Sequence, residues 1–201
     1  MKQLRIIVAD DESIIRLGLR VMLTELGHEV FLASNGREAL NLARTAGADL
    51  AILDIQMPLT DGLEAARVIA RKHPMPILIL TAYSQQDLIE RAVQLPIQGY
   101  LVKPVNERDL AAAIGVALAR FEDAQATARE NAELRQNLET RKLVERAKGV
   151  LVQSGLSEEE AYLSIQRQSR ETRRTMRQTA EDILGQAAPK EGRTTQPVRT
   201  K

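Results

Sequence analysis

Five short apolar runs punctuate the first half of the chain: LRIIVA at 4–9, VFLA at 30–33, LAIL at 50–53, ILIL at 77–80 and GYLV at 99–102. Each has the length of a strand. All but VFLA are apolar on both alternations, as strands buried on both faces are. Helical periodicity fills the gaps. Ile14, Leu17, Gly18, Val21 and Met22 keep a spacing near 3.6 and stop at Leu26-Gly27. Ala39, Leu40 and Ala43 do the same, then Ala65, Val68 and Ile69, then Leu88, Ile89 and Ala92. Strands and helices alternating through short connections predict an α/β domain, a doubly wound five-stranded parallel sheet covered by helices on both faces. Such sheets place their working site outside the carboxyl ends of the strands.

The fifth helix is expected to start near Asn106. Glu107 to Gln153 contains no proline, and only Gly115 and Gly149 interrupt it. Leu110, Ile114, Ala117, Phe121, Ala124 and Ala128 continue a three-four spacing, and Leu134, Leu138 and Val144 follow after a slip. This predicts a long helix with a possible two-chain coiled coil in its middle. Ser157 and Glu160 form a capping box that opens a further helix carrying Ala161, Tyr162 and Ile165. Thr172 reads as the cap of a last helix with Met176, Ala180 and Ile183 inward. The expected division is a first domain over 1–121, a helical linker over 122–140, a small three-helix domain over 141–184 and a disordered tail over 185–201. No internal repeat is visible.

Composition narrows the function. Hydrophobic residues make up 44% of the 201 and charged ones 27%, as in a folded soluble protein. No apolar run approaches a membrane span and the N-terminus does not read as a secretory signal, so a cytoplasmic setting is expected. Absence of cysteine removes disulfides and thiolate metal sites. The two histidines, His28 and His73, read as surface turn residues. A net charge of +1 leaves a nucleic-acid partner to be found in a local patch.

The strand ends carry the chemistry. Asp10 and Asp11 follow the first run, Asp54 the third, Thr81 the fourth and Lys103 the fifth. Singly, Thr81 reads as a strand-end cap and Lys103 as a solvated charge. Together they converge on one edge of the predicted sheet. Three clustered carboxylates repel and call for a cation, and oxygen ligands alone select a hard ion, Mg²⁺. A lysine and a hydroxyl suit phosphoryl oxygens, so the set points to phosphoryl transfer with an aspartate as nucleophile. Met57-Pro58 and Asp61-Gly62 are assigned to backbone geometry.

"VADDE", "LDIQMPLTDG", "ILTAY" and "GYLVKP" resemble the receiver domain of two-component response regulators, over roughly residues 1–121. The resemblance implies a flavodoxin-like fold and phosphorylation of Asp54 by a histidine kinase. It implies Mg²⁺ held by Asp11, Asp54 and the backbone carbonyl of Gln56, with Asp10 helping directly or through water. Lys103 would bind the phosphoryl group next to a cis Lys103-Pro104 bond, and Thr81 and Tyr100 would form the switch pair.

The output segment has no phosphate-binding glycine loop and no cysteine or histidine, which leaves a binding module. Residues 135–184 hold ten Arg or Lys against eight Asp or Glu, but Arg167, Arg170, Arg173, Arg174 and Arg177 crowd into eleven positions beside one Glu171. Residues 141–184 resemble the ANTAR domain of transcription antitermination regulators. Ala147-Lys148-Gly149, Glu159-Glu160-Ala161-Tyr162, Ser169 and Ala180 to Leu184 carry the resemblance, while "TRRTM" is more basic than the family's usual third helix. This implies a dimer that binds paired RNA hairpins in nascent leader transcripts and prevents termination, with Lys148, Arg167, Arg170, Arg173, Arg174 and Arg177 as candidate RNA contacts. Phosphorylation would shift a mostly monomeric or autoinhibited chain toward that dimer. A DNA-binding or protein-interaction output domain is the alternative.

Overall fold

In a computed structural model of the chain, residues 2–82 and 95–187 are described. The helical pattern through Leu88, Ile89 and Ala92 and most of the expected tail lie outside them. The chain forms two compact units, Met1–Ala126 and Thr127–Lys201.

The first unit is built on β1 (Arg5–Ala9), β2 (Glu29–Ala33), β3 (Leu50–Asp54), β4 (Ile77–Thr81) and β5 (Gly99–Val102). Every pairing is parallel and the order is β2-β1-β3-β4-β5. The chain starts in the middle, adds β2 on one side and then steps across to β3, so the crossover helices fall on both faces. α2 (Gly36–Thr45) and α3 (Gly62–Lys72) cover one face, where Ile7, Ala9, Ala51, Leu53, Ile77 and Ile79 meet Ala39, Ala43, Leu63 and Ile69. α1 (Ser13–Glu25) and the first turns of α4 (Glu107–Gln153) cover the other, where Ile6, Val8, Leu50, Ile52, Leu78 and Leu80 meet Leu19, Leu23, Leu110 and Ile114. Alternate strand residues feed opposite cores, which is why the runs are apolar throughout.

Caps fix the helix starts. Asn35 accepts from the Glu38 N–H at 2.9 Å, Asp61 from the Glu64 N–H at 2.7 Å and Asn106 from the Asp109 N–H at 2.9 Å. The α1 face differs from the expectation. Leu19 and Leu23 are buried, while Ile14 is 79% exposed and Leu17 and Val21 are also exposed. α1 is apolar on more than one side, so periodicity alone does not choose the stripe that meets the sheet. His28 also departs from its assignment as a surface residue. It is buried, and its Nδ1 accepts from the Leu4 N–H at 3.3 Å, tying the end of the α1–β2 connection to the start of β1.

In the second unit the C-terminal part of α4 packs with α5 (Glu158–Thr172) and α6 (Met176–Ala187). Val144, Ala147, Ile165, Ala180 and Ile183 form its core. The Ser157–Glu160 capping box is complete. Thr172 is not the cap of α6. It ends α5 and its hydroxyl donates to the Gln168 carbonyl. Arg173 turns left-handed at φ 54° and breaks the helix, so the cap falls on Thr175, which exchanges hydrogen bonds with Gln178. Of the three residues noted on this helix, Ala161 and Ile165 are buried and Tyr162 is 45% exposed. Gly185 to Ala187, assigned to the tail, continue α6.

Candidate functional site

The five strand-end groups lie on the carboxyl edge of the sheet. Asp54 and Thr81 are the last residues of β3 and β4, Asp10 follows β1 and Lys103 follows β5. Lys103 Nζ is 2.8 Å from Asp10 Oδ2 and 3.1 Å from Asp54 Oδ1. Asp10 is fully buried and Asp54 nearly so. The buried Asp10 Oδ2 has this ion pair with Lys103 as its charge partner. Asp10 Oδ1 accepts from the Glu12 N–H at 2.8 Å.

Asp10, Asp11 and Asp54 each offer an oxygen, and these oxygens lie within 4.8 Å of one another. Three carboxylates this close together, two of them buried, form an all-oxygen donor set that suits a hard divalent cation. Asp11 is exposed and, with Gln56, lines a cleft of about 470 Å³ beside Met57, Pro58 and Asp61. Burial raises the Asp54 pKa despite the hydrogen bond and charge of Lys103, and the charges of Asp10 and Asp11 push the same way. For Lys103, burial alone would lower the pKa, but hydrogen bonds and charge from Asp10 and Asp54 prevail and raise it. The lysine is a held cation.

The loop after β3 is shaped by two backbone devices. A Cβ on Gly62 would sit 1.8 Å from the Asp54 carbonyl oxygen, so only glycine lets α3 begin this close to β3. Its N–H donates to the Ile55 carbonyl at 2.9 Å. Leu59 has φ 72°, and the Thr60 N–H donates across it to the Pro58 carbonyl at 2.9 Å, a strained γ-turn with an exposed leucine at its tip.

Thr81 is buried and its hydroxyl donates to the Ala82 carbonyl at 3.1 Å. Tyr100 lies on β5 beside Ile79 and is 36% exposed. Burial raises its pKa, so the phenol keeps its proton. The Lys103-Pro104 bond is cis. Two residues at the site escaped the sequence reading. Glu12 Oε1 lies 3.9 Å from Lys103 Nζ, and Arg16 donates to the Asp10 carbonyl. Glu12 stands in the quoted "VADDE", so its signal was present. Arg16, one turn into α1, carries none.

The six candidate RNA contacts split into two groups. Lys148 pairs with Glu145 at 2.9 Å and Glu158 at 3.3 Å. Arg174 pairs with Asp182, and Arg177 with Glu181 at 3.0 Å and Glu139 at 3.8 Å. Arg167, Arg170 and Arg173 are exposed and make no ion pair among the described residues.

Comparison with known proteins agrees with this arrangement. Residues 6–115 match the model of the response regulator receiver domain, and residues 132–184 that of the ANTAR domain. Transcriptional regulatory protein PdtaR of Mycobacterium tuberculosis (strain H37Rv) is 46% identical over 182 residues, spanning 90% of this chain and 89% of that protein. The receiver domain of AraT, a response regulator from Geobacillus stearothermophilus, superposes with a TM-score of 0.55 at 30% identity, covering 62% of this chain and 99% of that one. The receiver domain of sensor histidine kinase PA1611 from Pseudomonas aeruginosa, solved with a magnesium ion in its active-site cleft, gives 0.54 at 26%, covering 59% and 99%. The chain belongs to the response regulators, with a receiver domain at its N-terminal end and an ANTAR output domain after it.

Proposed function

We propose that Asp54 is the phosphoacceptor of this regulator and that phosphorylation controls an RNA-binding, antiterminating output. The supporting observation is Lys103 Nζ held between Asp10 and Asp54 at 2.8 and 3.1 Å, within the cluster of Asp10, Asp11 and Asp54. Asp54 Oδ attacks the phosphorus of a kinase phosphohistidine, the P–N bond breaks, and the imidazole leaves and takes up a proton. Asp11, Asp54 and the Gln56 backbone carbonyl, with Asp10 helping, would hold Mg²⁺. Bound there, Mg²⁺ neutralises carboxylate and phosphoryl charge. Lys103 leaves Asp54 for a phosphoryl oxygen. Thr81 Oγ1 releases the Ala82 carbonyl and donates to another, and Tyr100 turns into the space vacated. The chemistry of this reading is gain and loss of phosphate at Asp54.

The output reads RNA hairpins in leader transcripts through Arg167, Arg170 and Arg173, which make no ion pair among the described residues. Lys148, Arg174 and Arg177 must break ion pairs to reach a phosphate and contribute less. Two copies brought together by phosphorylation engage paired hairpins, gaining affinity through effective concentration.

Two measurements test the reading. Incubation with a small phosphodonor and Mg²⁺ is expected to add a phosphoryl mass to the peptide bearing Asp54, and an unchanged mass refutes the phosphoacceptor. Beryllofluoride-loaded protein is then titrated against hairpin RNA and duplex DNA at two salt concentrations. Preference for hairpins that survives added salt supports RNA recognition. Equal and steeply salt-dependent binding reduces it to a nonspecific basic patch, and binding to neither leaves a protein-interaction output.

A further inference from the structure

A cavity of about 520 Å³ opens at the edge of the sheet opposite Asp54. Leu4, His28, Asp49 and Pro76 line it, and these are the residues immediately before β1, β2, β3 and β4. Each of those strands has five residues, so this edge lies about 16 Å from the phosphoacceptor end. The volume falls in the range of small-molecule sites.

The other wall is α4. Ile114, Leu118 and Phe121 line the cavity at spacings of four and three, which puts them on one stripe of the helix. Ile114 is buried in the core and Leu118 packs against that core. Phe121 is half-buried and joins neither core of the first unit, so its ring has the cavity as its apolar surroundings. Met75, buried, supplies more apolar lining.

One polar group inside is incomplete. His28 is 5% exposed, and its Nδ1 accepts from the Leu4 N–H. A ring that accepts at Nδ1 carries its proton on Nε2. That Nε2–H finds no acceptor among the described residues. A buried donor without an acceptor costs free energy, which an oxygen placed in the cavity recovers. The rim fixes the charge such a molecule can carry. Asp49 and Glu122 stand there against Lys2, two carboxylates to one ammonium, which disfavours an anion.

We propose that this cavity binds an uncharged small molecule with an apolar body and a carbonyl oxygen, the oxygen accepting from His28 Nε2–H and the body lying against Met75, Leu118 and Phe121. Bound there, it adds apolar contact to α4 over its last turns before the first unit ends at Ala126. A ligand with higher affinity for the docked form of those turns shifts the helix toward that form. α4 continues into the output unit. The regulator thereby has a second input, on the amino edge of the sheet, acting on the helix that leads to the output.

Acetophenone, an uncharged aromatic ketone, and ethylbenzene, a similar body without the oxygen, test the site. Each is titrated into the full chain labelled at leucine and isoleucine methyls and at histidine ring nitrogens, and followed by NMR. Acetophenone is expected to move the Leu4 and Leu118 methyls and the His28 Nε2 signal saturably, and to bind about fivefold more tightly than ethylbenzene. His28→Asn, which keeps an acceptor for the Leu4 N–H, is expected to bring the two affinities together, and Phe121→Ala to weaken both. Hydrogen exchange of the amides over 118–126 is expected to slow with acetophenone. No saturable shift at these methyls, or equal affinities in the unaltered chain, overturns the site. Binding that leaves the exchange unchanged overturns its action on the helix. None of these outcomes depends on phosphate at Asp54, so the site stands or falls apart from the phosphoacceptor reading.

Discussion

Asp54 is an unfavourable residue for the resting fold. Its carboxyl is buried at the end of a core strand beside two other carboxylates, and its pKa lies above the ordinary 3.8. A raised carboxyl contributes stability that is complete below the ordinary value and is lost as pH rises through the raised one, so at neutral pH its charge is a cost. Asp54→Asn is expected to raise the melting temperature at pH 7 in a chelator and to diminish the further rise on adding Mg²⁺. A lower melting temperature without metal would contradict this. His28 works in the opposite direction. Burial first, and the N-terminal charge second, lower its pKa from 6.5. Its neutral ring therefore contributes stability that is full above the ordinary value and is lost as pH falls through the lowered one. The melting temperature is expected to fall as pH drops from 7 through 6.5 and below, less steeply in His28→Asn, which keeps an acceptor but cannot titrate. Parallel curves for the two proteins would remove His28 from the account.

At the scale of elements, end residues decide more than propensity does. The start of α6 shows it best. Arg173 in the left-handed region stops α5, its N–H donates to the Arg170 carbonyl, and the Arg174 N–H donates to the Ser169 carbonyl. The cap then falls three residues later than Thr172. Thr175→Ala is expected to cost about 1 kcal/mol and Thr172→Ala less. Hydrogen exchange of the α6 amides checks it, and equal loss of protection in the two variants would return the cap to Thr172. Much else was legible here. Short apolar runs bounded by turns gave all five strands, and the Ser157–Glu160 box and the proline-free stretch gave the helix limits. The inward face of α1 was not legible, because Ile14, Leu17 and Val21 compete with Leu19 and Leu23 and only the sheet breaks the tie.

For the whole molecule, ion pairing sorts the basic surface. Replacing Arg167, Arg170 and Arg173 together by alanine is expected to weaken hairpin RNA binding by tenfold or more, on the order of 1.4 kcal/mol, and to flatten its salt dependence. The same change at Lys148, Arg174 and Arg177 is expected to do less to binding and more to stability. Binding titrations and melts of both variants check the contrast, and equal losses of affinity would erase the distinction between the two sets. This grouping was invisible in the sequence, where all six are simply basic.

The sequence by itself determined the strand order of chemistry: which residue types end which apolar runs, and so which groups converge once the sheet is parallel. Period and punctuation are local properties, and the chain carries them openly. Tertiary structure alone decided the distances and the partners. It placed Lys103 between Asp10 and Asp54, brought Glu12 and Arg16 to the same edge, buried His28 and paired Arg177 with Glu139 across 38 positions of sequence. Those outcomes depend on which residues of separate elements meet, and no local pattern encodes that meeting.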